Sequence, residues 1–303
     1  MPLLNAKIKD LIQQVSPARL EAHVRALEGV RHGQADPEAL EIRARWLEEA
    51  FSTMGLAVEH QSVPFSGREY RNLIMTHAGA NPSLGFLLVG AHYDGIWDSP
   101  AADDNASGVA VMLEAARILS KEAFHRTIQF VAFTLEEPQT MTHHFLIGSR
   151  EFVSRAKRYG QRYEGALILE CVGYADHRPG SQYRPILVRI PIPDQGNFLG
   201  VISNRRSAKL MEAYRKVATE AVPELPVIGY RVPLGGWLAP ETRASDHASF
   251  WNRGYPALML TDTAMFRNPH YHQPTDRAET LDYHFMAAVA RATIATVAYL
   301  TST

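Results

Sequence analysis

The sequence predicts an α/β fold, a three-layer α/β/α sandwich with a central mostly parallel (mixed) sheet. Three observations predict it. The short, almost wholly apolar runs "LGFLLVGAH", "TIQFVAFTL", "GALILECVG" and "PALMLTD" suit central strands covered on both faces. Helical stretches lie between them, at 105–121, about 144–159 and 206–221, and such alternation builds layers of helix around a sheet. The chain has 303 residues, 46% hydrophobic and 21% charged, which fits one large globular domain over 1–303.

The first 55 residues read as a helical segment packed on that domain. Ser16-Pro17 and Asp36-Pro37 each place an N-cap residue before a proline at the first helical position. After Asp36, Leu40, Leu47, Phe51 and Met54 recur at helical spacing, and Gly55 supplies a stop. "LAVEHQSV" alternates like a strand with one wet face, and "YRNLIMTH" is a second strand. These two are expected to be antiparallel at one side of the sheet. The last helix, 281–300, carries Met286, Val289, Thr293, Val297 and Leu300 on one stripe. Residues 173–198 are proline-rich and irregular, and a loop of that length is expected at the rim of a site.

Composition narrows the function. The net charge is −1 with no block of like charges, which argues against nucleic acid as a partner. One cysteine, Cys171, excludes a disulfide framework within the chain and reads as a buried core thiol. The N-terminus lacks the basic, apolar and cleavage regions of a signal peptide. No apolar run approaches the roughly 18 residues of a membrane span. The expected location is therefore cytoplasmic, with no membrane partner. HExxH, GxSxG, Walker A and post-strand GxGxxG patterns are all missing, which weighs against a serine hydrolase or a nucleotide-binding enzyme.

Open α/β sheets place their chemistry beyond the carboxyl ends of their strands. Here each apolar run delivers a carboxylate or imidazole to that edge. The first ends in His92-Tyr93-Asp94, the second in Glu136-Glu137 and the third in Glu170. The fourth leads to His270 and His272, while Asp103-Asp104 precede the 105–121 helix. Such ligands suit zinc and its divalent neighbours. They are too many for one catalytic metal, but five ligands with a bridging carboxylate serve two ions about 3.5–4 Å apart. Asp103, Glu137, Glu170 and Glu136 supply four negative charges to balance two divalent ions.

The blocks "HYD…PAADDNASGVA", "FVAFTLEE", "ALILECVGY", "ASDHASFWNRGYPALMLTDT" and "RNPHYHQPTD" resemble the M28 family of zinc peptidases, relatives of bacterial leucyl aminopeptidase. The resemblance runs from about Tyr70 to the C-terminus in the same order. It implies an aminopeptidase that releases residues from peptides with a free N-terminus, using two zinc ions, with cobalt or manganese as alternatives. By position it implies that His92 and Glu170 hold one metal, Glu137 and His272 the other, and Asp103 bridges them. Glu136 is implied as the general base. Asp94 is implied to orient the His92 imidazole by accepting its free N–H. A cis peptide is implied after the bridging aspartate, at Asp103–Asp104. Two departures stand out. Glu170 replaces the aspartate of several members, and the insert "PQTMTHHFLI" replaces a short link, carrying His143 and His144. Both histidines read as loop surface or pocket rim.

"SDH", Ser245 to His247, reads equally as a helix cap or as support for the metal ligands. His270 reads as structural. Three alternatives to the aminopeptidase stay open: an amidohydrolase or carboxypeptidase on the same scaffold, a glutaminyl cyclase, and a non-catalytic scaffold. Sequence leaves open the preferred N-terminal residue and the oligomeric state.

Overall fold

The computed structural model describes residues 3–140, 144–184 and 190–302. Three helices open the chain: α1 (Ala6–Ile12), α2 (Pro17–Leu27) and α3 (Pro37–Ser52). Their starts are set by side-chain caps. Ser16 accepts from Arg19 N–H and Asp36 from Ala39 N–H, each directly before a proline. Such caps are worth about 1 kcal/mol each.

The strands are β1 (Val58–Phe65), β2 (Arg68–His77), β3 (Phe86–His92), β4 (Thr127–Phe133), β5 (Tyr163–Leu169), β6 (Leu199–Ser203), β7 (Val227–Arg231) and β8 (Ala257–Thr261). They form one sheet in the order β1-β2-β4-β3-β5-β8-β6-β7. The centre, β4-β3-β5-β8, is parallel, so four carboxyl ends share one edge. β1 and β2 are antiparallel at one side, and β6 runs antiparallel to β8.

Five further helices are α4 (Gly108–Leu119), α5 (Ile147–Arg158), α6 (Ala208–Ala221), α7 (His247–Asn252) and α8 (Tyr283–Ser302). The central strands are almost wholly apolar because each face meets a different core. On β3, Leu87, Val89 and Ala91 join the larger core beneath the N-terminal helices, α4, α6 and α8, while Leu88 joins the smaller one. That smaller core is aromatic, with Phe133, Phe152, Tyr163 and Phe250 edge-on or tilted to one another beneath α5 and α7.

Two readings shift. The expected 105–121 helix begins at Gly108, because Asp104 and Asn105 have non-helical backbone. The last helix is also of membrane length. Tyr283–Ser302 is long and apolar enough to cross a membrane, but 78% of its apolar window is buried inside the fold. Its alanines and threonines pack in the core on both sides of the expected stripe.

Candidate metal-dependent active site

The parallel centre of the sheet assembles the site. His92 is the last residue of β3 and lies in register with Phe133, the last of β4. Glu136 and Glu137 therefore emerge beside it. Glu170 follows β5 directly, and its N–H donates to Leu260 O on β8 at 2.9 Å. The segment after β8 returns to place His272 across the cleft.

Two groups of ligand-type atoms result. His92, Asp104 and Glu170 form one, and Asp104, Glu137 and His272 the other, each with its atoms within 4.8 Å of one another. His92 Nε2 lies 3.3 Å from Asp104 Oδ1 and 3.4 Å from Glu170 Oε2. His272 Nε2 lies 3.0 Å from Asp104 Oδ2 and 3.5 Å from Glu137 Oε1. Asp104 thus turns one oxygen to each group. His92 Nε2, Asp104 Oδ1, Glu137 Oε1 and His272 Nε2 are buried with no hydrogen-bond partner among the described residues. Orphaned buried polar atoms are costly, and four that converge fit a divalent cation as their missing partner.

The position between the groups belongs to Asp104, which corrects the expectation of Asp103. Asp103 points away from the cleft. Its Oδ1 accepts from Gly173 N–H at 2.8 Å and its Oδ2 from the Asn268 amide at 2.7 Å. The cis peptide is likewise Asp104–Asn105, not Asp103–Asp104. The turn is held by two residues the sequence reading did not single out. Asp276 accepts from the N–H groups of both Asp103 and Asp104, at 2.9 and 3.2 Å. Asn105 ties the turn to β5 by donating to Leu169 O at 2.8 Å, and its Oδ1 accepts from Cys171 N–H. Only the surrounding hydrogen bonds separate the two neighbouring aspartates, and those partners are distant in sequence.

Asp94 sits behind His92. The His92 Nδ1 is 3.2 Å from the Asp94 carbonyl and 3.4 Å from its carboxylate. The Asp94 carboxylate also accepts from the N–H groups of Glu136 and Glu137, at 3.0 and 3.1 Å, which fixes the paired glutamates. Glu136 Oε2 reaches within 3.8 Å of His92 Nε2. Ser245 donates to Glu170 Oε2 at 2.7 Å, so it supports the third carboxylate and does not cap α7. Asp246 makes no cap either, and both its carboxylate oxygens are buried without a hydrogen-bond partner among the described residues. His247 Nε2 lies 2.9 Å from Thr242 O, outside the ligand groups. His270 pairs with Thr275, and His144 with Thr140, both away from the clusters. His143 falls outside the described residues.

Crowding the acids in a dry cleft raises their proton affinity. Burial pushes Glu136 well above the ordinary range, and the Glu170, Glu137 and Asp246 charges add to it. Burial, reinforced by Asp104, moves Glu137 up to about 7. Burial also works to raise Asp104, but the His272 and His92 imidazoles on either side outweigh it and hold Asp104 well below the usual range. The cleft therefore favours bound positive charge.

A largely apolar pocket of about 100 Å³ opens beside Glu170 and Tyr271. Ile190, Ile192 and Phe198 from the 173–198 loop line it with Ile202, Met259 and Phe266.

A model of peptidase family M28 matches residues 72–297. The chain belongs to this family. That makes it a hydrolase of the peptidase class, on the scaffold the sequence predicts. The Escherichia coli (strain K12) protein YfbL, itself uncharacterized, is 33% identical over 299 residues, covering 95% of this chain and 89% of that one. A Trichophyton verrucosum protein named "Probable leucine aminopeptidase" is 29% identical over 234 residues. That match covers 73% of this chain, which spans about half of the relative's length, 54%. Among solved structures, Legionella pneumophila LapA superposes with a TM-score of 0.77 at 19% identity, over 99% of this chain and 78% of that one. A Porphyromonas gingivalis glutaminyl cyclase superposes with a TM-score of 0.71 at 19% identity, over 93% of this chain and 98% of that one. At such identities the two structures speak for the M28 fold alone.

Proposed function

We propose that the protein is a two-zinc aminopeptidase. The observation that carries this reading is the pair of ligand groups sharing Asp104, with four of their atoms buried and without a hydrogen-bond partner among the described residues. His92, Asp104 and Glu170 would hold one ion, and Asp104, Glu137 and His272 the other. The donor set is imidazole and carboxylate, which suits zinc and admits cobalt or manganese. When bound, such ions supply Lewis-acid polarisation of the scissile carbonyl and of the attacking water.

The rest is the work of the chain's own side chains. Glu136 makes no ligand group with the others, yet it reaches the same cleft. It takes the proton from the attacking water and delivers it to the leaving amine. Its carboxylate lies within 3.8 Å of His92 Nε2, within reach of a water held in the cleft. Asp94 keeps the Glu136 and Glu137 backbone and the His92 ring in place, so the two glutamates divide their roles. The apolar pocket beside Glu170 accepts an aliphatic side chain of the N-terminal residue, and the 173–198 loop forms its wall. A one-metal reaction such as cyclisation leaves one of the two ligand groups without a role.

Mass spectrometry of a peptide pool, each peptide with a free and an acetylated N-terminus, tests the reading on the zinc-loaded protein. The expected result is stepwise loss of apolar N-terminal residues from the free peptides only. Glu136→Gln should keep zinc and lower the rate by at least about 10²-fold. Shortening from the C-terminus, removal of the acetyl group, or loss of ammonia without shortening would each overturn the assignment.

A further inference from the structure

The turn between α2 and α3, residues 29–33 with the sequence GVRHG, lies before the 72–297 family match and supplies no ligand atom. It nevertheless holds the largest fully buried side chain among the described residues, Arg31. Its guanidinium makes no ion pair among the described residues. Nε donates to Tyr93 O at 2.8 Å, Nη1 to Gly29 O at 3.1 Å and Pro100 O at 2.8 Å, and Nη2 to Ala101 O at 2.8 Å. Three of these carbonyls belong to the 93–101 loop, which starts directly after His92 and ends three residues before Asp104. Backbone bonds reinforce the grip: Gly95 N–H donates to Arg31 O, and Gly29 N–H to Pro100 O.

The next residue holds the other ligand loop. His32 is buried, and its Nδ1 accepts from the N–H groups of Gln34 and Ala35, which leaves the proton on Nε2. That Nε2 donates to Pro138 O at 3.0 Å, one residue past Glu137. Gly33 lies flat against the same loop. A Cβ there would sit 2.3 Å from Leu135 Cδ2 and 2.4 Å from Gln139 Oε1.

Burying a guanidinium is costly, and the four carbonyls around it offset that cost by giving its donors partners. What arginine alone brings is a planar fork that fixes several acceptors at once. Its charge also faces the site, where the Asp94, Asp276 and Asp104 carboxylates attract it and offset part of its burial.

We propose that Arg31 and His32 are positioning residues for the two ligand groups. Arg31 fixes the 93–101 loop and with it His92, and His32 fixes the 136–138 loop and with it Glu137. The inference rests on the two-metal reading above.

Arg31→Lys keeps the charge and loses the fork, and His32→Ala frees Pro138 O. Zinc titrations of the full chain, followed by the imidazole ¹⁵N shifts of His92 and His272, report each group separately. Arg31→Lys should raise the zinc needed at His92 by about tenfold or more, with a smaller change at His272. His32→Ala should do the reverse. Equal changes at both imidazoles, or lowered melting temperature with both unchanged, would mean a merely structural role and overturn the proposal. Amide exchange on the zinc-free chain provides a metal-independent arm. Arg31→Lys should release protection in 93–102 and His32→Ala in 136–140, and a uniform loss in both would overturn the clamp. If the wild type takes zinc at one imidazole only, the two-metal reading fails and the exchange arm alone decides the clamp. If Arg31→Lys does not fold, the selective pattern of His32→Ala decides it.

Discussion

Asp103 and Asp104 differ by one bond in position and by everything in surroundings. Asp103 accepts hydrogen bonds from Gly173 N–H and the Asn268 amide, while Asp104 faces two imidazoles. The convergence of His92, Glu136, Glu137 and Glu170 was legible in the sequence because each ends or follows an apolar strand, whereas His272 was set apart from His270 by the family resemblance. The choice between adjacent aspartates was not, because no periodicity distinguishes neighbours in a turn. The same holds for Asp276 and Arg31, whose partners are set by tertiary contacts alone. His247 was ambiguous in the sequence and yields a pH prediction. Burial pulls its imidazole down to about 4, against the opposing pull of the Thr242 carbonyl. The folded state thus keeps His247 neutral where the unfolded chain, at an ordinary 6.5, takes up a proton. Its contribution is complete above about 6.5 and is lost as pH falls toward 4, on the order of 3 kcal/mol in all. Denaturant titrations at pH 7 and 4.5 should show that His247→Gln removes that part of the acid destabilisation. An identical pH slope in the variant would refute it.

At the scale of elements, the four central strands announced themselves because burial on both faces demands apolar residues throughout. β6 and β7 did not. They are five residues each, carry Gly200 and Gly229, and lie next to or at the sheet edge, where the pattern is weakest. The start of α5 was legible only approximately, since it depends on contacts with other strands. Asn72 on β2 donates to Gly148 O at 2.9 Å and accepts from Thr134 N–H at 3.0 Å, and Gly148 N–H donates to Thr134 O. A Cβ on Gly148 would lie 2.2 Å from Thr134 O and 2.5 Å from Asn72 Oδ1. Backbone on that side cannot move without shifting the loop that carries Glu136. Gly148→Ala should therefore cost about 1–3 kcal/mol, read as a lower denaturation midpoint with unchanged slope. A midpoint within error of the wild type would show that the contact relaxes freely.

The whole molecule explains why so many acids can share one cleft. A parallel sheet centre sends four strand ends to one edge, and helices on both faces keep that edge's floor dry. The N-terminal segment, read from sequence only as packing, also reaches the ligand loops through Arg31 and His32. Sequence could foresee the convergence of strand ends but not that clamp, because turn residues carry no period. The proposed two-zinc function turns on Asp104, the residue that both ligand groups share. Zinc content per chain, measured after equilibration with zinc and desalting, tests it most directly across three proteins: wild type, Asp104→Asn and Asp103→Asn. A shared Asp104 requires two zinc ions in the wild type and in Asp103→Asn, and loss of both in Asp104→Asn. Two ions retained by Asp104→Asn, or none by Asp103→Asn, would contradict it.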